Sequence, residues 1–135
     1  MTTPALADVP VRTAAELTAR WYSLLDPPEF AARSLWLTWF GADGRQLPIV
    51  IPVDELPRMP DVAMLVGLRQ VHESVLADQL GGRGRLALAL CRPGSSAPTP
   101  EDDAWAEALR ELLDDGEWSL HLAAAGSVVP LAQAG

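Results

Sequence analysis

Few residues in this 135-residue chain have side chains suited to chemistry, and they are quickly named. Cys91 is the single cysteine, at the end of an apolar run and shortly before a helix start, where a helix N-terminus can lower a thiol pKa and create a nucleophile. His72 and His121 are the only imidazoles that could serve it as base, and a Cys91/His121 pair would be a thiol activated for covalent catalysis. Against this stands the plainer reading of Cys91 as a small buried hydrophobe and of both histidines as surface or satisfied side chains. Glu101, Asp102, Asp103, Glu107, Glu111, Asp114, Asp115 and Glu117 make one helix and its end strongly acidic, with Arg110 the sole basic residue among them. That surface reads either as a docking face for a basic partner or as a solvated face that keeps the chain in solution.

Composition narrows the classes that these residues could serve. The length suits one domain, and 49% hydrophobic residues with five Trp are too apolar for a disordered chain. No run approaches the roughly 20 apolar residues of a membrane helix, and the N-terminal residues lack a basic stretch followed by an apolar one. A cytoplasmic protein with no membrane partner is the expectation. One cysteine cannot form an internal disulfide, and no Cys/His pair has zinc-finger spacing. A net charge of −8, with arginines scattered from Arg12 to Arg110, opposes nucleic acid. All ten basic residues are Arg, a bias to which no chemistry attaches.

The elements that position these groups follow from pattern. Residues 1–12 carry two prolines and no period, and read as a flexible arm ahead of a single α/β domain over 13–135. Thr13 and Glu16 have capping-box spacing, and Leu17, Trp21 and Leu24/Leu25 then recur at helical intervals up to Asp26-Pro27-Pro28. Ser34–Phe40 and Leu47–Val53 flank a Gly-rich turn and predict a hairpin, with Pro48 and Pro52 placing the second strand at an edge. Asp61 caps a helix to Leu80 whose stripe is Met64, Leu68, Val71 and Val75. Arg85–Cys91 is a nearly continuous apolar run, as expected of a central strand covered on both faces. Thr99-Pro100-Glu101-Asp102 starts another helix, and strands are predicted over Trp118–Ala123 and Val128–Leu131. The predicted order is α-β-β-α-β-α-β-β. Both faces of the Ser34–Phe40 strand are apolar, so helices cover it on both sides or one face meets a second copy, which makes a homodimer one reading.

The stretch Cys91-Arg-Pro-Gly-Ser-Ser-Ala-Pro-Thr-Pro-Glu-Asp102, between an apolar strand and a helix, resembles the RadC-like branch of the JAB/MPN/JAMM superfamily. Members carry H-x-H, seven residues, then S-x-x-D at such a junction. The resemblance spans roughly residues 34–131 in element order and implies a three-layer sandwich with a mixed sheet. In active relatives the two His and the Asp hold zinc, the Ser supports an oxyanion and an upstream Glu is the acid/base, for cleavage of isopeptide or peptide bonds. On that spacing Ala89 and Cys91 take the His positions, Thr99 the Ser position and Asp102 the Asp position. Ala89 offers no lone pair, so fewer than the three protein ligands of a catalytic zinc are present and no metal or other cofactor is expected. Gln46 and Leu47 stand where relatives tend to place the Glu, and Glu55 lies further along.

The sequence therefore predicts a catalytically inactive JAMM/RadC-like domain that acts as an interaction or scaffolding module. The candidate interaction surface is Glu101, Asp103, Glu107, Glu111, Asp114 and Asp115, with a protein partner. Two alternatives stay open: a hydrolase or small-ligand-binding protein using the cleft around Cys91, Thr99 and Asp102, or an unrelated α/β structural subunit of a complex.

Overall fold

Each helix begins at a side chain that satisfies its free amides. In the computed structural model, which describes residues 9–134, α1 spans Ala14–Leu24 behind Thr13, whose hydroxyl accepts from the Glu16 amide at 3.1 Å. The Glu16 carboxylate reaches back one residue further than a capping box requires and accepts from the Arg12 amide, also at 3.1 Å. Helix α2 spans Val62–Leu80, capped by Asp61, whose carboxylate accepts from the Met64 amide, and it ends at Gly81 in the left-handed conformation. Helix α3 spans Pro100–Leu112 behind a complete capping box between Thr99 and Asp102.

Five strands form one mixed sheet: β1 Ser34–Phe40, β2 Gln46–Asp54, β3 Arg85–Cys91, β4 Glu117–Ala124 and β5 Ser127–Gln133. Their spatial order is β2-β1-β3-β4-β5. Only β3 and β4 run parallel, joined by the α3 crossover, and every other pair is antiparallel. The expected α/β class is the one observed. Strand β3 lies at the centre, and β2, with Pro48 and Pro52, lies at an edge.

Alternation along the strands divides the core in two. Leu86, Leu88 and Leu90 of β3 join Leu35, Leu37 and Trp39 of β1 beneath α2 and α3, with Trp105 and Leu109 from α3. Ala87, Ala89 and Cys91 face the other way, with Phe40, beneath Trp21 and Leu25 at the end of α1. Strand β1 is thus covered by helices on both sides, and its two apolar faces require no second copy. No helix among the described residues is long and apolar enough to cross a membrane.

One expectation is corrected. The inward face of α2 contains buried Leu68 and His72 with half-buried Met64 and Val75, while Val71 is 40% exposed. Apolar residues occur all around α2, so periodicity in hydrophobicity alone does not select the stripe; one residue on, His72 turns inward because it has a partner in Trp39. The flexible arm expected over 1–12 lies outside the described residues for 1–8, and Val9–Arg12 is docked. Val11 is 2% exposed, its amide donates to the Gly44 carbonyl at 2.7 Å, and Arg20 donates to the Val9 carbonyl. Gly44 permits this approach: its φ is +82°, and a Cβ there would stand 2.7 Å from the Val11 carbonyl oxygen.

Candidate functional site

The strand-loop-helix junction is organised by Arg92. Arg92 follows β3, and its side chain is 3% exposed against a fully buried Asp102. Its Nε donates to both Asp102 oxygens, at 2.9 and 3.1 Å, and Nη2 donates to Oδ2 at 2.7 Å. The remaining donors reach the loop carbonyls of Pro93, Ser95 and Ala97 at 2.7–3.0 Å. Burial alone would raise the Asp102 pKa, but the Arg92 hydrogen bonds and the Thr99 amide outweigh it and hold the carboxyl below its ordinary range. The loop from 93 to 99 is folded around a guanidinium, and the one buried acid of the junction is neutralised by a cation from its own chain.

The four positions singled out by spacing do not converge. Thr99 and Asp102 cap α3, on one face of the sheet. Ala89 and Cys91 are wholly buried on the other face, in the cluster under α1. Burial pushes the Cys91 thiol up to about 12 against a smaller opposing effect of Ser34, so it stays protonated at neutral pH, and it donates to the Ala89 carbonyl at 3.8 Å. The donors present therefore do not fit the zinc site of active JAMM proteins: one position lacks a lone pair, one faces away, and Asp102 is held by Arg92. No group of three or more His, Cys, Asp or Glu suited to a metal ion occurs among the described residues.

Gln46 belongs to a buried network: it accepts from Arg20 Nη1 at 2.7 Å and donates to the Thr38 hydroxyl at 2.9 Å. Leu47 packs on the α2/α3 core, and Glu55 is an exposed residue with φ +55° just after β2. His72 accepts from Trp39 Nε1 at 3.1 Å, and burial lowers its pKa. Of the acidic residues, Asp103, Glu107 and Glu111 are exposed along α3 and Asp114 in the turn after it, while Glu101 is half-buried. Asp115 is gripped in bidentate fashion by Arg69 of α2, at 2.7 Å for each bond, and those bonds lower its pKa. The outer face of α2 presents Val62, Ala63, Val66 and Gln70 with Glu73 among them, all exposed.

His121 is the residue whose setting sequence reading missed. It lies on the α1 side of β4, 4% exposed, and adjoins a cavity of about 460 Å³ between the start of α1 and strands β3–β5. A register shift in the β4/β5 pairing falls between Leu120 and His121, and bulges of this kind redirect side chains. Thr18 Oγ1 donates to the Ala14 carbonyl at 3.1 Å and meets His121 Nε2 at 2.9 Å. The hydroxyl and the ring nitrogen share that second bond in the direction the ring tautomer sets. Among the described residues Nδ1 has no partner. Burial holds the imidazole down at about 4, so it is neutral at physiological pH. The alternation Leu120-His121-Leu122 marked the strand face, but not the hollow beside it.

Fold and site together define a three-layer α/β domain with a mixed five-stranded sheet. Comparison with known proteins finds no matching family model, no matching curated protein and no matching solved structure.

Proposed function

We propose that this chain is a catalytically inactive interaction module, built at its strand-loop-helix junction along RadC/JAMM-like lines. The observation that carries the reading is the Arg92 guanidinium seated on Asp102. A cation from the chain takes the charge that a metal would otherwise take, and its hydrogen bonds also close the loop. The junction then serves stability, and recognition falls to the surface.

The partner is a protein segment with an apolar stripe and a basic flank. The exposed valines on the outer face of α2, Val62 at 76% and Val66 at 50% exposure, supply the apolar contact, with the Glu73 carboxylate on the same face. Exposed Asp103, Glu107, Glu111 and Asp114 supply a field of one sign, and the net charge of −8 extends it. A second copy of this chain would bring acid against acid, so the basic partner is the better complement.

Two measurements test the proposal. Metal analysis of tag-free protein should find zinc well below one equivalent, and tightly bound stoichiometric zinc would overturn the inactive reading. An amphipathic helical peptide with a Leu/Val stripe and Arg flanks should bind, weaken as salt rises and lose about tenfold in affinity against Val66→Asp. Equal binding of the same stripe with Glu flanks, no binding of either peptide, or a dimer through α2 in light scattering would overturn the basic partner.

A further inference from the structure

We infer that α2 is an acid-sensitive latch: when His72 takes a second proton, the middle of the helix leaves the sheet while the strands stay paired. One buried hydrogen bond, and few other buried contacts, hold it down.

That bond has a fixed direction. The Trp39 indole N–H can only donate, and it meets His72 Nδ1 at 3.1 Å with both side chains buried. Nδ1 is therefore bare, and the single proton of the neutral ring is on Nε2. A second proton has to go to Nδ1, where it sets N–H against N–H. The indole then loses its acceptor and a cation lies in an apolar interior, and both are costly.

The anchorage of α2 is thin. Of its 19 residues only Leu68 and His72 are buried, one turn apart on the same face. Met64, Leu65, Val75 and Leu80 add half-buried contacts to the core. A second polar tie is Arg69, which is partly exposed and binds Asp115 with two bonds and the Leu112 carbonyl at 3.0 Å. Expelling His72 removes one of the two buried side chains and draws Leu68 with it.

Charge around the ring gives the cation a place to go. The charged groups that face it are Arg69 and Glu73 from α2 and Asp115 from the turn after α3, while the strands and α3 bring apolar side chains such as Leu37, Leu88 and Leu109. Burial first and Arg69 second hold the seated ring below its ordinary pKa, against Asp115 and Glu73. A ring outside the core titrates at about 6.5, so the expelled form binds the proton more tightly and falling pH favours release. Glu73 and Asp115 are exposed where they hold Arg69, and there they receive the imidazolium. The same helix carries Val62 and Val66, so docking on that face becomes acid-sensitive; this use rests on the function proposed above, whereas the latch does not.

Hydrogen exchange of the full chain, measured without any peptide and corrected for the intrinsic pH dependence of exchange, tests the latch apart from docking. Between about pH 7.5 and about pH 5 the amides of residues 66–76 in α2 should lose at least about tenfold in protection, while those of β3 and β4 keep theirs. His72→Gln has a side-chain oxygen that accepts from Trp39 and takes no proton, so it should keep α2 protected at both pH values. Equal protection of wild-type α2 at the two pH values, acid opening of folded His72→Gln as in the wild type, or joint loss of protection in α2 and β3 would each overturn the latch. Failure of a peptide to bind α2 while acid still opens the helix strikes the docking reading alone.

Discussion

Arg92 and Asp102 form a buried ion pair in which the carboxylate receives three guanidinium contacts and the helix cap at once. Thr99 donates its amide to the same oxygen that takes the 2.7 Å bond from Arg92 Nη2. One carboxyl therefore ties the end of the central strand, the loop and the first turn of α3. Removing one partner leaves the other charge buried and uncompensated, so Arg92→Met should cost about 3–5 kcal/mol in urea unfolding. Arg92→Met/Asp102→Asn should be more stable than the sum of the single changes by about 2 kcal/mol. Strict additivity would show that the pair is not coupled.

The stability of the fold should depend on pH through its two inward histidines. Burial lowers both pKa values, with His121 at about 4, against an ordinary value near 6.5. The unfolded chain therefore binds more protons than the folded one in this window, and stability rises with pH. It is fully present above about pH 6.5 and falls as pH drops toward 4, with a loss on the order of 3 kcal/mol from His121. Urea midpoints at pH 7.5, 5.5 and 4.5, taken as order-of-magnitude sampling of that window, should descend in that order, and less steeply in His121→Gln. A flat series would contradict the buried neutral imidazole.

Cys91 should be inert in the folded state. With its thiol at about 12 and its side chain wholly buried, iodoacetamide at mild alkaline pH should label it only after denaturation. Labelling of native protein at the rate of a free thiol would place Cys91 in an open environment.

Gly44→Ala should loosen the segment docked beside the hairpin. The left-handed φ and the 2.7 Å approach of the Val11 carbonyl leave no room for a methyl group, at a cost of about 1–3 kcal/mol. Tryptic cleavage after Arg12 should quicken accordingly, and unchanged cleavage would show that the segment is held by other contacts.

Local chemistry was legible in the sequence where a single residue decides it. Asp61 and Thr99 cap as their types require, the prolines of β2 mark an edge, and the apolar run of β3 lies at the centre. What escaped depends on contacts between distant residues. Arg92 follows a strand and precedes a Pro-Gly turn, so composition assigns it to a loop, and only folding sets it on a carboxylate ten residues away. Val71 competes with His72 for the inner face of α2 because hydrophobicity alone cannot register the hydrogen bond from Trp39. The cavity beside His121 is missed for the same reason: small residues on β3 become a hollow only when a helix roofs them.

Strand β3 draws its two neighbours from far apart in the chain, β1 at residues 34–40 and β4 at residues 117–124. During synthesis its β4-facing side has no partner until α3 and the turn after it have been made. A row of leucines with open hydrogen-bonding groups then waits beside the ribosome, the kind of nascent surface that holding chaperones protect and that aggregates when they are overwhelmed.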